Sequence, residues 1–504
     1  MNGRTKTPVV IVVACLSTAV FAGSEYRIIW LGPAAEQNIF GSGFGMSTGR
    51  FAINDAGFVS GNWIDESHNT VAALWKPQGA GASLSYSEAI ALPSPTSKLL
   101  TKSCDLSEGV LPVIVGFDGW EQHALAWRVP GTTVEVNQFG GLDSAAYAIR
   151  EDAGAAFGTS PYACPNDANS FRNRATRWDA IEPGTLSFIS QVRLDNCADV
   201  LVSAAITSDR RGLDWFPPAG GSTDRKCSNP TICGIDIPAA ECGEGPYGLG
   251  ARFFDACPAP VFPFGWFFAC GQGTPEVPQP ERSRPTHVLA RTVDRLYGHA
   301  KPEDGLPEDD RCDNFASTWN SSGRDATRIG QLAVPAGWSH VISSVQGAKY
   351  VDLVSSQSEL FGEQAVGMAV RERVDTTGVP EQHAIRWQLS DNGVWTAVDL
   401  DDLYCASGIQ LTQAHDVNAR GWIVATGRLA SDPDPLHSAH AFVLIPNTCP
   451  ADFDRDGDVD AADLSSVLAY WGPCEPGTPY DIDCSGDVGA GDLSTVLGTW
   501  GDCY

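Results

Sequence analysis

Twice near its C-terminus the chain sets oxygen-bearing side chains at the spacing that wraps a loop around a hard cation. The first set is Asp452, Asp454, Asp456, Asp458, Asp460 and Asp463, and the second is Asp481, Asp483, Ser485, Asp487 and Asp492. Counted within each loop, donors fall at the first, third, fifth and twelfth places, and a glycine, Gly457 or Gly486, stands sixth. Calcium collects about six to eight oxygens, and the glycine permits the sharp turn that makes them converge. The seventh residues, Asp458 and Asp487, would give backbone carbonyls. The ninth is Asp460 in the first loop, direct or through water, and Gly489 in the second, where water must fill the place. Two calcium sites are expected. The first should bind more tightly, because Asp456 and Asp460 carry charge that Ser485 and Gly489 lack. A merely solvated acidic tail would not repeat donors and glycine in register.

A short amphipathic helix is predicted after each loop. Leu464, Val467, Leu468 and Trp471 recur at i, i+3, i+4 and i+7, as do Leu493, Val496, Leu497 and Trp500. Gly472-Pro473 and Gly501 would end them. The helix that precedes the loop in a full EF-hand is missing. Residues 449–504 hold twelve acids against one base, Arg455, so a cation should relieve repulsion and fold the segment. The helices would then bury Leu464, Leu468, Leu493, Leu497, Trp471 and Trp500 against each other. Cys449, Cys474, Cys484 and Cys503 allow three pairings, with local staples over each loop-helix unit expected. This duplicate resembles type I dockerin modules, which plug secreted enzymes into cohesin-bearing scaffolds. The twelfth residue is Asp, as in that family. The resemblance implies calcium binding and a cohesin-like or cell-surface protein partner. The recognition pair of that family reads Ala461-Ala462 and Ala490-Gly491 here, and its late basic residues are replaced by Tyr470-Trp471 and Thr499-Trp500. The identity of the partner therefore does not carry over.

The body carries a degenerate repeat. Ala-x-x-Trp ends at Trp75, Trp127, Trp178, Trp319 and Trp387, and a sixth copy, Ala441 to Leu444, has lost the Trp. The long step from Trp178 to Trp319 would hold a degenerate unit near Gly212–Trp215 and a cysteine-rich insertion near 216–285. Upstream of some copies lies a tight polar turn closing on glycine, plainest in Ala52–Gly61 and echoed at 148–154 and 416–424. Residues 133–136 and 394–400 look like further strands. Three or four short strands per unit predict a mainly β, propeller-like array over 23–446, with Trp packed between units and helix confined to 449–504. Asn-x-x-Gly-x-Val-x-Gly followed by His-Ala-x-x-Trp, with His123, His383 and His440 in the His place, resembles the extracellular HAF-type repeat of bacterial proteins across about residues 45–446. That resemblance implies an exported β-repeat protein without assigning an activity.

The N-terminus reads as a signal peptide over 1–22. Arg4 and Lys6 precede an apolar run, Val9 to Phe21, that is too short to span a bilayer, and Val20 and Ala22 suit cleavage after Ala22. Lipidation at Cys15 is the alternative, disfavoured because the apolar run continues past it. No other segment reads as a membrane span. A secreted or cell-surface location follows, and the fourteen cysteines outside the leader should be largely paired. Net charge is −28, which repels nucleic acid and anionic membranes and suits divalent cations.

Catalytic motifs are lacking: there is no HExxH, no GxSxG elbow and no phosphate loop. His415 and Asp416 adjoin in the chain only. The three repeat histidines read as structural, since they recur at equivalent places. The aromatic run Val261–Phe268 would stack on sugar rings or form the core of a stapled loop between Cys257 and Cys270. A non-catalytic, calcium-dependent interaction protein is thus the expected function. The alternative is a secreted carbohydrate-active enzyme for polysaccharide breakdown, such as a glycoside hydrolase, carrying a dockerin.

Overall fold

The computed structural model describes residues 25–34, most of 50–193, a few short strands within 213–253, and most of 284–503. The leader at 1–22 and nearly all of the cysteine-rich insertion, including Val261–Phe268, lie outside the described residues.

The body is a series of four-stranded antiparallel meanders. The first runs Ala52–Ile53, Val59–Ile64, Thr70–Trp75 and Ile90–Ala91. The second runs Thr101–Leu106, Ile114–Asp118, His123–Arg128 and Glu135–Gln138. The third runs Ala145–Ile149, Ala155–Cys164, Asp167–Ala180 and Phe188–Arg193. The fourth comprises Arg284–Arg291, Arg295–Lys301, Phe315–Asn320 and Ala326–Arg328, and the fifth Trp338–Asp352, Phe361–Arg373, Glu381–Leu389 and Trp395–Asp399. In the sixth, Ile409–Val417, Ile423–Leu429 and Ala439–Pro446 take their fourth strand from the start of the body, Tyr26–Ala34, paired antiparallel with Ala439–Pro446, and a single pair at its end, Ala34 with Trp63, joins this sheet to the first as one eight-stranded sheet. Of the expected unit near Gly212–Trp215, the described residues show a two-stranded ladder of Leu213–Trp215 with Ala251–Phe253, and the rest lies outside them.

The repeat mark falls on the third strand of every meander: Trp75, Trp127, Trp178, Trp319, Trp387 and Leu444. Trp75, Trp127, Trp178 and Trp387 are fully buried. Three of these four indole N–H groups find an acceptor on the side of the preceding sheet, whereas that of Trp178 has none. Trp75 Nε1 donates to the Leu31 carbonyl at 3.1 Å, Trp127 to Pro93 at 2.7 Å and Trp387 to Gly330 at 2.5 Å. The apolar clusters are accordingly shared by consecutive sheets: the first with the second, second with third, fourth with fifth, fifth with sixth, and sixth with first.

Polar turns tie the sheets at one end. Asn54 Nδ2 donates to the carbonyls of Ser107 and Gly109, and Asn418 Nδ2 to that of Asn54. Asp55 N–H donates to Glu108, Ala419 N–H to Asp55, and Glu108 N–H to the Glu151 carbonyl. Lys349 Nζ lies 3.4 Å from Asp55, 3.6 Å from Glu108 and 3.2 Å from Glu151, joining turns of three sheets from a fourth. Gly57 and Gly421 hold φ of 87° and 72°, as a turn closing on glycine requires. Asp105 and Asp416 each accept a backbone N–H from the next sheet, from Ile149 and Ile53.

Both α-helices among the described residues, α1 (Ala461–Ala469) and α2 (Ala490–Gly498), lie in the C-terminal module. No helix there is long and apolar enough to cross a membrane. The expectation of largely paired body cysteines fails at Cys104. It is a free, buried thiol packed with Phe117 and Tyr147, and burial pushes its pKa up.

His415 is fully buried beside Phe51, with Nε2 2.9 Å from Thr426 Oγ1. Its backbone carbonyl accepts from Arg50, whose guanidinium also reaches the Gln346 carbonyl. Burial first, and then the Arg50 charge, lower its pKa to about 3. An unfolded histidine takes up its proton near pH 6.5, so the folded state loses stability as pH falls from there toward 3. The slope is at most about 1.4 kcal/mol per pH unit. His415→Gln should flatten that slope in urea unfolding between pH 7 and pH 5, while a slope equal to the parent's would show that His415 is not its source.

Candidate metal centre

The two acidic loops fold as copies of one another. In the first, carboxylate oxygens of Asp452, Asp454 and Asp463 lie within 4.8 Å of one another, and in the second those of Asp481, Asp483 and Asp492 do so. These are the first, third and twelfth positions of each loop. The glycines at the sixth place hold φ of 102° and 88°, and their N–H groups donate to the first aspartate of the loop, Gly457 to Asp452 and Gly486 to Asp481.

The twelfth residue does most of the local positioning. Asp463 Oδ1 accepts the N–H of Phe453 at 2.6 Å and of Asp454 at 3.4 Å, and its Oδ2 that of Asp460 at 2.9 Å. Asp492 repeats the pattern with Ile482 at 2.6 Å, Asp483 at 3.3 Å and Gly489 at 2.7 Å. Both carboxylates are buried. Each one clamps its loop from the first turn of the helix, where a negative charge also suits the helix dipole.

The remaining predicted donors sit outside these two clusters. Asp456 Oδ1 accepts from the Asp458 N–H. By hydrogen bond and then by charge, Asp456 pushes the Asp458 carboxyl up to about 6. Asp460 caps α1, its Oδ1 accepting from the Ala462 N–H at 2.7 Å. Ser485 Oγ donates to the Asp487 carbonyl at 3.0 Å, so the fifth and seventh oxygens of the second loop already meet.

Two short ladders lock the copies together head to tail. Asp458–Val459 pairs with Gly501–Asp502, and Gly472–Pro473 with Asp487–Val488. Val459, Val467, Ile482, Val488 and Val496 fill the small core, with Leu464 and Leu493 partly buried against it. The expected burial of Leu468, Leu497, Trp471 and Trp500 is corrected: all four are at least half exposed. The inward face of each helix is set by the clamping aspartate and the valine four residues on, which rotates the next leucine and the following Trp outward. The expected local staples are also corrected. Cys449 bonds to Cys503, joining the two ends of the module, because the head-to-tail ladder brings those ends together. Cys474 is a free thiol whose Sγ lies 3.5 Å from Asp481 Oδ2, and Cys484 is disulfide-bonded elsewhere.

Sequence reasoning treated the repeat histidines singly and missed that each meets an aspartate. His123 Nδ1 is 2.9 Å from Asp118, His383 Nδ1 2.7 Å from Asp399, and His440 Nε2 3.0 Å from Asp432. These pairs have no common spacing in the chain, so no motif announces them. Beside His383 lies a further carboxyl, Asp401, which burial raises to about 6.

No protein-family model matches the chain, and no curated protein does. Among solved structures, a similar chain is Trypanosoma rangeli sialidase in complex with the inhibitor DANA, at 10% identity and a TM-score of 0.30. The alignment covers 84% of this chain and 57% of that one, so this chain spans little more than half of its length. A likeness of that size assigns neither a fold family nor an activity.

Removing the Asp463 carboxylate strands the N–H groups of Phe453, Asp454 and Asp460. In chelator, Asp463→Ala should weaken the first loop by about 1–3 kcal/mol. Amide hydrogen exchange at Phe453 and Asp460 would then quicken by roughly one to two orders of magnitude. Asp454→Ala removes a charge but no such acceptor, and should leave those two amides near the parent rate. Equal exchange in the two variants would refute the clamp.

Proposed function

We propose that this is an exported calcium-binding protein whose C-terminal module docks a propeller-like interaction domain onto a partner. The observation that carries the calcium reading is the duplicated carboxylate cluster with its buried twelfth-position aspartates, Asp463 and Asp492. Three carboxylates brought to one point repel unless a cation lies among them, and all-oxygen donors on a turn pinned by glycine suit a hard ion of calcium's size. When bound, calcium supplies charge neutralisation and cross-links loop to helix. The chain's own residues do the rest: Asp463 and Asp492 orient the loops, and the two ladders hold the copies in register.

The docking reading is supported by what the helices leave uncovered. Leu468 and Trp471 on one copy, and Leu497 and Trp500 on the other, present two matching apolar patches, with Tyr470 beside the first. Large exposed aromatics are the side chains from which protein interfaces draw much of their energy. With the resemblance to dockerins, this favours a cohesin-like or cell-surface protein as partner. The propeller-like reading of the body is supported by six repeated meanders, cores shared by consecutive sheets, and a last sheet completed by the first strand.

Calorimetry of calcium into the full-length protein tests the metal reading. Two ions should bind per chain, the tighter in the first loop. Asp463→Ala and Asp492→Ala should each abolish one site, with Asp463→Ala removing the tighter. Absence of calcium binding at millimolar concentration, or two sites remaining in either variant, would sink it.

A further inference from the structure

The histidines of the repeat mark meet their aspartates in different ways. His440 is filled on both sides, since Trp30 Nε1 donates to its Nδ1 at 3.1 Å and its Nε2 faces Asp432. His123 pairs through Nδ1 with Asp118, which also accepts the His123 backbone N–H at 2.9 Å. His383 is 5% exposed, and neither ring nitrogen makes a hydrogen bond of ordinary geometry. Its Nδ1 touches Asp399 Oδ2 at 2.7 Å with the oxygen off the N–H direction, and its Nε2 is 3.7 Å from Glu381. A donor atom from each of His383, Asp399 and Asp401 lies within 4.8 Å of the other two.

Both carboxylates are held in place from behind. Asp399 caps the short 3-10 turn Leu400–Leu403, its Oδ1 accepting the Asp401 N–H at 3.1 Å. Asp401 Oδ1 accepts the Tyr404 hydroxyl at 2.6 Å and the Leu411 N–H at 2.8 Å. Such outer hydrogen bonds orient metal ligands and leave the second oxygen to the ion. His383 also borders a small cavity lined by Leu332, Val334, Val370 and Arg371.

We propose that His383, Asp399 and Asp401 form a binding site for a divalent transition-metal ion of the zinc class, separate from the two calcium loops. One imidazole with two carboxylates is a donor set such ions take, in three-ligand sites that keep a further position open. The all-oxygen loops of the module present no imidazole. The site lies where the start of the third strand of the fifth sheet meets the end of the fourth and the 3-10 turn that follows it, and it would fasten that turn to the sheet.

Cobalt(II) is the probe, because nitrogen ligation at low coordination number gives it visible absorption that all-oxygen sites give only weakly. Full-length, calcium-saturated protein is titrated with Co2+. The parent should develop a visible band that saturates at one added equivalent and is discharged by Zn2+. His123→Gln and His440→Gln should keep it. His383→Gln and Asp401→Asn should lose it, or bind at least ten-fold more weakly. If His383→Gln does not fold, the near-isosteric Asp401→Asn, checked by an unchanged metal-free melting curve, decides alone. A parent without the band overturns the proposal, as does a band that survives Asp401→Asn. Either result would leave His383 and Asp399 as a structural ion pair.

Discussion

An indole set between two sheets organises the body. A four-stranded meander stacked on neighbours must bury side chains on both faces, and Ala-x-x-Trp answers that need within one strand. The small residues Ala72, Ala124, Ala384 and Ala441 face the next sheet and let it approach, and Trp75, Trp127 and Trp387, three residues on and therefore on the opposite face, fill the space against the preceding sheet. Burying a tryptophan removes roughly 150–250 Å² from water, on the order of 4–6 kcal/mol at the usual area coefficient. A buried indole N–H without an acceptor costs free energy, a cost that Trp178 alone of the four fully buried repeat tryptophans bears, while the other three find acceptors. The carbonyls of Leu31, Pro93 and Gly330 supply one from the preceding sheet or from the segment leaving it. The indole thereby fixes which sheets are neighbours as well as how tightly they pack. It is local, which is why the connections between sheets can vary so much in length.

The polar turns add direction to this packing. Asn54, Asn418, Asp105 and Asp416 spend their side chains on the backbone of the adjoining sheet. Backbone groups at the ends of inner strands have no ladder partner, and these side chains satisfy them. Lys349 then gathers Asp55, Glu108 and Glu151 from three other turns. The pairing of Tyr26–Ala34 with Ala439–Pro446 ties the two ends of the body into one sheet, so fraying of either terminus is resisted by the other.

In the C-terminal module the same economy appears at smaller scale. With few apolar residues to bury, order comes from carboxylates that accept backbone N–H groups, from two ladders of two residues, and from the Cys449–Cys503 bond. Asp463 and Asp492 are needed inside, and that requirement turns Leu468, Trp471, Leu497 and Trp500 outside. The apolar patches and the ion cluster are therefore two consequences of one placement.

Much of this was legible in the order of residues. Period-two apolar strands, turns closing on glycine and the recurring Trp mark the meanders, because strand geometry and turn chemistry are local. The loop donors of the module could be named for the same reason, since a loop of twelve residues carries its own geometry. The helical spacing of Leu464, Val467, Leu468 and Trp471 also predicted a helix correctly, but not which of its sides faces in. That depended on Asp463 reaching the Phe453 and Asp460 amides, a contact between the helix and the loop it closes. Nor could the chain alone pair Cys449 with Cys503, 54 residues apart, or leave Cys104 and Cys474 as thiols. The meeting of His383 with Asp399 and Asp401 is of the same kind, for it joins the start of one strand to the end of the next and the turn beyond it. Short-range geometry is written in spacing, whereas contacts between elements exist only once packing has chosen their faces.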